Sequence, residues 1–271
     1  RMGCTLTRPT PDTLLCRGRL RPGAYALSGG VSSQFITGLL LAFPLTAGAC
    51  TLKITGKLES APYVTMTLRA MERFGIQAKE FAVAGGQSYV SPGTVAVEGD
   101  WSNAAFFLAA RALGSDVAVT GLAADSPQGD RAAAALLAGL EEKRTIDAAD
   151  IPDLVPILAV TAACKQGAVF TNIARLRLKE SDRVESVKDM LLALGGRAEA
   201  GENTLTVYGT GLRGGRVEGR NDHRIAMSAA IAATVCREPV TILGAQCVEK
   251  SYPQFWDVYK QLGGRYEQYL R

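Results

Sequence analysis

Residues that usually build metal and nucleotide sites are scarce in this sequence. It has a single histidine in 271 residues, and its six cysteines form no C-x-x-C pair. No cluster has the spacing of metal ligands, and there is no Walker-type or dinucleotide-binding glycine motif. These absences argue against a metal-dependent or nucleotide-binding function. The cysteines mostly lie in apolar runs, which favours reduced, buried thiols in a cytoplasmic protein.

Long apolar runs and strongly basic tracts are also missing. No stretch of 18 or more apolar residues is free of polar interruption, so a membrane span is not expected, and no signal or transit pattern is visible. The net charge of +4 suits an anionic small substrate, but the arginine-rich, aromatic tracts typical of nucleic-acid binding are absent. With 47% hydrophobic residues, the chain can bury a large core and form two domains.

A two-part pattern occurs four times along the chain. A polar helix start leads into an apolar helix at Ser32, Asp100, Asp150 and Asn221, and a β-strand, a loop and a second helix follow. The spacing of roughly 70, 50 and 70 residues matches units of βαβαββ size rather than a solenoid repeat. The sequence therefore predicts an α/β fold built from repeated units, with a strand after each first helix, including "DVAVT" at 116–120.

The copies are unequal in length. The second copy passes from "LLAGLEEKR" almost directly into "TIDAADIPDL", so about 20 residues of strand-forming sequence are missing near 140–150 relative to the other copies. The first three residues, Arg1 to Gly3, are similar to the helix end at Arg73 to Gly75. We therefore expect a C-terminal portion of a longer protein, with an incomplete first globule over residues 1–97 and a second globule over 98–271.

Two polar helix starts in the first part of the chain are candidate anion sites. Ser32, Ser33 and Gln34 offer hydroxyl and amide donors in a first helical turn, and Ser60 precedes another helix, with Pro62 at a first-turn position. Exposed backbone N–H groups and the helix dipole attract phosphates and carboxylates at such places. Ordinary N-capping by serine explains the same residues.

Asp153 follows a third helix start. If Asp150 is the cap, Asp153 lies in the first turn, where the helix dipole favours its ionised form. It is then either a dipole-complementing residue or a general base for a substrate hydroxyl. Pro156 is expected to bend or interrupt the same helix.

Charges crowd the segment "RLRLKESDR". Arg175, Arg177, Lys179, Glu180 and Arg183 lie within nine residues, upstream of a helix whose apolar face is Val184, Val187, Leu191 and Leu194. Asp182 and Glu185 form a plausible capping pair. A solvated face with weak ion pairs is one interpretation. The position on a loop and first turn favours an anion clamp with a proton donor or acceptor.

Two further cations lie at equivalent places. Arg224 adjoins His223 at a helix start, and its planar guanidinium suits bidentate binding of carboxylate or phosphate. A lone histidine is more often structural than catalytic. Lys250, in the fourth copy, occupies the loop position that Lys179 and Glu180 occupy in the third.

Taken together, these motifs resemble those of the 3-phosphoshikimate 1-carboxyvinyltransferase (EPSP synthase) family. The similarity covers nearly the whole chain in the family's order, and the pairing of KESDR with NDHR is highly specific. The motifs are "GGVSSQF", "SAPY", "GGQSY", "VEGDWSNAAFFLAA", "QGD", "DIPDLVPILA", "RLRLKESDR", "NDHRIAM" and "EKSYPQF".

The resemblance implies a fold and a reaction. The fold is an enolpyruvyl transferase-like, inside-out α/β barrel arrangement of two globules with repeated βαβαββ units, in which helix N-termini face the substrates. The reaction transfers the enolpyruvyl group of phosphoenolpyruvate to the 5-hydroxyl of shikimate 3-phosphate and releases phosphate, as part of aromatic amino acid biosynthesis. No cofactor or metal is expected, because phosphoenolpyruvate carries its own leaving group and cations stabilise the charge.

The resemblance also implies residue roles. Asp153 would be the base on the 5-hydroxyl, and Glu180 would donate or accept the proton at the methylene carbon. The shikimate 3-phosphate residues would be Ser32, Ser33, Gln34, Ser60, Asp153, Arg175 and Lys179, although some family members have asparagine at the position of Arg175. The phosphoenolpyruvate residues would be Gln34, Arg183, Arg224 and Lys250.

Other features of the family are not found in this sequence. Its lysine-serine-arginine motif, its glycine-rich loop and a further arginine are missing, so we expect the chain alone to have little activity. The expected partners are the two small-molecule substrates, without nucleic acid or membrane, and the expected state is a monomer. The alternatives are a UDP-N-acetylglucosamine enolpyruvyl transferase, whose reactive loop cysteine does not coincide with these motifs, and a non-catalytic anion-binding module.

Overall fold

The computed structural model describes residues 2–269. The chain divides into two compact units, Arg1–Val97 and Glu98–Arg271, called unit 1 and unit 2 below. Among the described residues, no helix has both the length and the apolar character that a membrane crossing requires.

Unit 1 contains six strands and two α-helices in its described part. They are β1 (Cys4–Thr10), β2 (Thr13–Gly18), β3 (Gly23–Ser28), α1 (Ser33–Ala42), β4 (Cys50–Thr55), α2 (Ala61–Arg73), β5 (Ala78–Lys79) and β6 (Ala82–Val83), with a 3₁₀ turn at Phe43–Leu45. Strands β3 and β4 run parallel, and β6 and β5 continue the same sheet antiparallel. The helices pack on this sheet through a small core that includes Ile36, Leu40, Leu52 and Met71.

The β1–β2 hairpin is a separate two-stranded sheet whose residues are all exposed. The helix end that the sequence suggested at Arg1 to Gly3 falls partly outside the described residues, since Arg1 is not described. Met2 and Gly3 are not helical, and Gly3 has φ +89° directly before β1. Gly75, which follows the end of α2, has a similar φ of +81°, so the expected helix end at Arg1 to Gly3 stays a prediction.

Unit 2 contains six strands and six α-helices in its described part. They are α3 (Trp101–Ala112), α4 (Ala133–Gly139), β7 (Arg144–Asp147), α5 (Val155–Cys164), β8 (Gly167–Thr171), α6 (Arg183–Ala193), β9 (Arg197–Ala200), β10 (Thr204–Tyr208), β11 (Gly215–Glu218), α7 (His223–Ala233), β12 (Val240–Leu243) and α8 (Phe255–Gln261). Short 3₁₀ turns lie at Gly129–Ala132, Pro152–Leu154, Ala174–Leu178 and Ala245–Lys250.

The predicted repetition is confirmed by the order of the strands. The sheet of unit 1 runs β3-β4-β6-β5, and the larger sheet of unit 2 runs β7-β8-β10-β9. In both, the first two strands are parallel and the remaining pairs are antiparallel. A third parallel pair, β11 with β12, is followed by α8 and completes another strand-helix-strand-helix series. Three of the four predicted copies thus share the strand-helix-strand-helix series with a parallel strand pair, and two of them continue into antiparallel strands.

The core of unit 2 surrounds two largely apolar helices that are buried on all sides. Every residue from Val155 to Ala163 in α5 is buried, and so is every residue from His223 to Ala232 in α7. A helix without a polar face is stable in water only when other elements cover it completely. Here α5 and α7 pack against each other and against α3, α6 and the sheets.

Several local predictions are wrong. No strand forms at 116–120, and within the described part of unit 2 all strands belong to the two sheets above, so "DVAVT" has no neighbouring strand with which to pair. Asp150 caps no helix, because a 3₁₀ turn begins at Pro152 and leads into α5. Pro156 lies in the first turn of α5, where its missing N–H costs nothing, so it does not interrupt the helix.

The predicted burial of the cysteines is correct for some of them and wrong for others. All six are free thiols; Cys50 and Cys247 are buried, and Cys164 and Cys236 are half-buried. Cys4 and Cys16 are exposed, because they lie on the hairpin β1–β2, which has no apolar layer over it.

Candidate active site

The predicted site residues lie in the loops that follow parallel strands. Strands β3 and β4 end at Ser28 and Thr55, β7 and β8 at Asp147 and Thr171, and β11 and β12 at Glu218 and Leu243. Each loop leads into the start of the next helix or 3₁₀ turn. Because the carboxyl ends of parallel strands meet at one edge of a sheet, each pair brings two loops together, and this is where ligands bind in α/β folds.

Backbone strain is concentrated in the same loops. Within residues 2–269, five non-glycine residues have positive φ, and four of them follow a parallel strand: Ser60 (+55°), Asn172 (+57°), Arg220 (+49°) and Asn221 (+56°). Left-handed conformations are unfavourable for residues with a side chain and recur at functional sites, where the surrounding structure holds them. The backbone conformation therefore indicates a functional site in these loops, independently of their charged side chains.

In unit 1, the two predicted serine helix starts lie at the same sheet edge. The Gln34 N–H donates to Ser32 Oγ at 3.2 Å, so Ser32 caps α1 as predicted. Ser60 occupies the cap position of α2 in a left-handed conformation without making a capping hydrogen bond. Gly29 directly follows β3, and a glycine is needed there because a Cβ would lie 2.6 Å from the Lys57 carbonyl oxygen in the loop that leads to Ser60. Ser33 is buried and Gln34 is exposed.

In unit 2, Arg183 is the centre of a carboxylate cluster. It is the first residue of α6 and the largest fully buried side chain among the described residues. Its Nη1 donates to Asp153 Oδ1 at 2.8 Å, its Nε donates to Asp222 Oδ2 at 2.9 Å, and its Nη2 donates to Glu180. All three guanidinium nitrogens are therefore hydrogen-bonded. The interpretation of this segment as a solvated face with weak ion pairs does not hold for Arg183.

Asp153 accepts from a second arginine. Arg224 Nη2 donates to Asp153 Oδ2 at 3.1 Å, and Arg224 Nη1 donates to Ser102 Oγ at 2.6 Å. Lys179 Nζ lies 3.6 Å from Asp153 Oδ1. Three cations thus surround one largely buried carboxylate, and a carboxylate in such a position is favoured in its ionised form.

The remaining predicted residues lie around this cluster. Glu180 is the most exposed of the three carboxylates bound to Arg183, at 42% of its side chain. Arg175 is buried and donates to the Ala149 carbonyl oxygen at 3.2 Å. Lys250 Nζ donates to the Asn221 carbonyl oxygen at 2.9 Å. Lys179 directly follows a 3₁₀ turn and Lys250 ends one, in each case after the second strand of a parallel pair, so the two lysines lie in corresponding loops as predicted.

The start of α7 is one residue later than predicted. Its cap is Asp222, not Asn221, because the Asp222 carboxylate accepts from the Arg224 N–H at 3.0 Å while Asn221 is left-handed. The predicted capping of α6 is confirmed, since Asp182 Oδ1 accepts from the Glu185 N–H at 3.1 Å. Arg177 does not join the site; it binds Asp182 and Glu185 instead.

Electrostatics hold the cluster in its charged state. Burial alone would lower the pKa of Arg183, but the charges of Asp222 and Asp153 outweigh it and raise that pKa. Burial alone would raise the pKa of Asp222, but Arg183 lowers it by its charge and its hydrogen bond. Burial and the neighbouring charge of Arg224 lower the pKa of His223, which favours a neutral imidazole.

Three side chains of the cluster had no role in the sequence-based prediction. They are Asp222, which holds Arg183, and Ser102 and Asp130, which adjoin Arg224. Each lies in a motif that the sequence displays, namely NDHR, the start of α3, and QGD. The sequence signal that could have indicated them is a polar residue at a helix start, for Asp222 and Ser102, and in a tight turn, for Asp130.

The cluster is suited to anion binding and proton transfer. It combines arginine and lysine side chains with three carboxylates, and charge interactions are strong where the side chains are buried, as they are at Arg183 and Asp222. Among the residues that the structure describes, no group of three or more histidine, cysteine or acidic side chains could hold a metal ion.

Sequence comparisons identify the family. The family model of EPSP synthase (3-phosphoshikimate 1-carboxyvinyltransferase) matches residues 14–144 and 137–259. A 3-phosphoshikimate 1-carboxyvinyltransferase of Clostridium kluyveri is 39% identical over 280 residues, covering 94% of this chain and 66% of the relative. The one from Clostridium acetobutylicum is 43% identical over 274 residues, covering 93% and 64%. The chain belongs to the EPSP synthase family.

This chain spans just under two thirds of the length of these curated relatives. Solved structures agree with an EPSP synthase fold. An EPSP synthase from Acinetobacter baumannii superposes with a TM-score of 0.77 at 24% identity, over 97% of this chain and 68% of that one. The enolpyruvyl transferase NikO from Streptomyces tendae gives 0.70 at 18% identity, over 97% and 69%. The predicted enolpyruvyl transferase-like fold of repeated βαβαββ units is therefore confirmed.

Proposed function

We propose that this chain serves the transfer of the enolpyruvyl group from phosphoenolpyruvate to the 5-hydroxyl of shikimate 3-phosphate, with release of phosphate. Membership of the EPSP synthase family supports the reaction. The single observation that carries the proposal is Asp153, a carboxylate bound by Arg183 and Arg224 with Lys179 beside it. A general base for a hydroxyl needs such a fixed, ionised carboxylate.

Each unit carries its own candidate binding residues. In unit 1, Ser32, Ser33, Gln34 and Ser60 are suited to the phosphate of shikimate 3-phosphate, because α1 and α2 supply helix starts that favour anions, and Gln34 is also a candidate for phosphoenolpyruvate. In unit 2, Asp153, Arg175 and Lys179 are the candidates for shikimate 3-phosphate, and Arg183, Arg224 and Lys250 are the candidates for phosphoenolpyruvate.

Arg183 needs an exchange of partners for this role, because its side chain is fully buried and its three nitrogens are engaged. Glu180 is the partner most open to solvent. The phosphoenolpyruvate anion replaces Glu180 on Nη2, while Asp222 and Asp153 keep the guanidinium in place. Glu180 is thereby released to exchange a proton with the methylene carbon.

The chemistry then requires three proton transfers. Asp153 takes the proton of the 5-hydroxyl as the oxygen adds to the vinyl carbon, and Glu180, which has taken up a proton from solvent after leaving Arg183, protonates the methylene carbon. The tetrahedral adduct loses phosphate and returns a proton to Glu180. The buried Arg224 and the exposed Lys250 neutralise the charge that develops on the phosphate.

A substrate panel tests the proposal. The chain is assayed for phosphate release alone and mixed with the part of the Clostridium kluyveri relative that it does not match, and calorimetry measures binding of each substrate. In the mixture we expect turnover with shikimate 3-phosphate and none with UDP-N-acetylglucosamine, and we expect little turnover by the chain alone. The relatives' names do not favour the UDP-sugar alternative. Binding of both substrates without any turnover in the mixture would support a non-catalytic anion-binding module instead.

Localisation in the cytoplasm and a monomeric state remain predictions from the sequence. Size-exclusion chromatography with light scattering tests the second directly.

A further inference from the structure

A buried carboxylate adjoins the cluster without belonging to its ion pairs. Asp130 is 4% exposed and lies in the 3₁₀ turn Gly129–Ala132. Its Oδ1 is buried and has no hydrogen-bond partner among the described residues. An unpartnered, desolvated carboxylate oxygen is costly, and it persists where function compensates for the cost.

Gln128 fixes this turn against the start of α3. Its Oε1 accepts from the Trp101 N–H, and its Nε2 donates to the Gly99 carbonyl oxygen, both at 2.9 Å. Asp130 is thereby held beside Ser102 in the first turn of α3, and Ser102 Oγ accepts from Arg224 Nη1 at 2.6 Å. A short path of polar contacts thus leads from Asp130 through Ser102 and Arg224 to Asp153.

The charges around Asp130 make its ionisation sensitive to a bound anion. Burial and the neighbouring charges of Asp153 and Asp100 raise the pKa of Asp130, while Arg224 and the Ser102 hydroxyl lower it, and the net result is a pKa of about 6. Arg131, next in the chain, directs its guanidinium to the Ala124 carbonyl oxygen instead. An anion at Arg224 adds one more negative charge to this dry surrounding and weakens the attraction between Arg224 and Asp130.

We propose that Asp130 is a positioning residue that couples anion binding at Arg224 to proton uptake. In the empty site the ionised Asp130 holds Ser102 and Arg224 in place. When phosphoenolpyruvate binds Arg224, Asp130 takes a proton from solvent, and the loss of its negative charge offsets part of the charge that the ligand brings. The inference rests on the proposed binding of phosphoenolpyruvate at Arg224. It adds a residue to which the sequence-based prediction gave no role.

Proton linkage measures this coupling directly. Phosphoenolpyruvate is titrated calorimetrically into the chain at pH 6.5 in buffers of different ionisation enthalpy, which gives the number of protons taken up per bound anion. The variants are Asp130→Asn, which keeps the shape but cannot titrate, and the matched control Asp125→Asn, an exposed aspartate in the same segment. Titration of the ligand's own phosphate is common to all three and cancels in the comparison.

We expect the wild-type chain and Asp125→Asn to take up the same number of protons, and Asp130→Asn to take up a fraction of a proton less per bound anion. Ser102→Ala should reduce the pH dependence of binding while keeping the Asp130 carboxyl. Equal uptake in wild type and Asp130→Asn would overturn the proposal.

A measurement on the ligand-free protein tests the ionisation of Asp130 separately from the proposed function. In the ¹³C-carboxyl spectrum, one resonance should titrate near pH 6 in the wild type and be missing in Asp130→Asn. Absence of such a resonance would overturn the role of Asp130 even if phosphoenolpyruvate binds. If phosphoenolpyruvate binds to none of the proteins, the proposed function fails, and the role of Asp130 in taking up a proton on binding fails with it.

Discussion

Arg183 and Asp222 form a fully buried ion pair with two hydrogen bonds, from Nε to Oδ2 at 2.9 Å and from Nη2 to Oδ1 at 3.3 Å. Asp222 also caps α7, and its Oδ2 accepts from the Ser181 hydroxyl at 3.1 Å. The pair therefore joins the starts of α6 and α7, the two helices that carry Arg183 and Arg224. Breaking it should affect the fold as well as the site.

Asp222→Ala should lower the free energy of unfolding by about 3–5 kcal/mol, because it leaves a buried guanidinium with one partner fewer. Denaturant titration measures the effect. The control is Glu199→Ala in the exposed Arg197–Glu199 pair, which should leave stability nearly unchanged. Asp222→Asn keeps an acceptor for the cap and should fall between the two. A loss for Asp222→Ala no greater than that of the control would contradict the importance of the pair.

In the intact protein, Asp153→Asn should abolish turnover while sparing much of the affinity for shikimate 3-phosphate. The amide keeps the size and can still accept from Arg183 and Arg224, but it cannot take a proton, and proton-transfer catalysis is typically worth about 10²–10⁴-fold. Phosphate release and calorimetry separate the two effects. Near-normal activity would remove Asp153 from the role of base.

Asp130→Asn should change how stability depends on pH. Because the pKa of Asp130 rises from 3.8 to about 6 on folding, the folded state binds its proton more tightly, and wild-type stability falls as pH rises through this window. Asp130→Asn has no carboxyl group at this position and therefore does not lose stability in this way. Its free energy of unfolding relative to that of the wild type should increase between pH 4 and 7, by at most about 3 kcal/mol. Thermal and denaturant unfolding at several pH values test this, and Asp125→Asn should follow the wild type throughout.

The cysteines should react with a thiol reagent in three groups. Cys4 and Cys16 are exposed and should react first in the native protein. Cys164 and Cys236 should react slowly, since burial and its neighbour Cys236 raise the pKa of Cys164 to about 11, and burial raises that of Cys236. Cys50 and Cys247 should react only on unfolding. Rapid labelling of Cys247 in the native state would contradict the packing described around it.

Much of the fold could be predicted from sequence because the repeats and helix caps are local signals. Ser32 and Asp100 cap α1 and α3 as predicted, since a polar residue before an apolar helix has few other uses. The helix starts assigned to Asp150 and Asn221 are misplaced by the 3₁₀ turn at Pro152 and by the left-handed backbone at Asn221. Such local backbone choices depend on tertiary packing.

The site could be predicted only in part. Sequence placed Asp153, Glu180 and Arg183 in functional loops, but it gave no sign that one guanidinium would bind all three of Asp153, Glu180 and Asp222. These partners come from segments up to 39 residues from Arg183. Burial of an arginine depends on which loops the sheet edges bring together, and charge patterning along the chain does not contain that information.

The two four-stranded sheets share one strand order, although the loops at their edges carry different side chains. Each parallel pair of strands brings two loops to one edge of the sheet. The loop sequences do not affect this, because backbone hydrogen bonding and the apolar faces of the helices determine which strands pair. One copy carries serines there and another carries KESDR, on the same framework. A loop exchanged between copies should therefore transfer its ligand preference without changing the sheet, so substrate choice can evolve loop by loop while the fold stays constant.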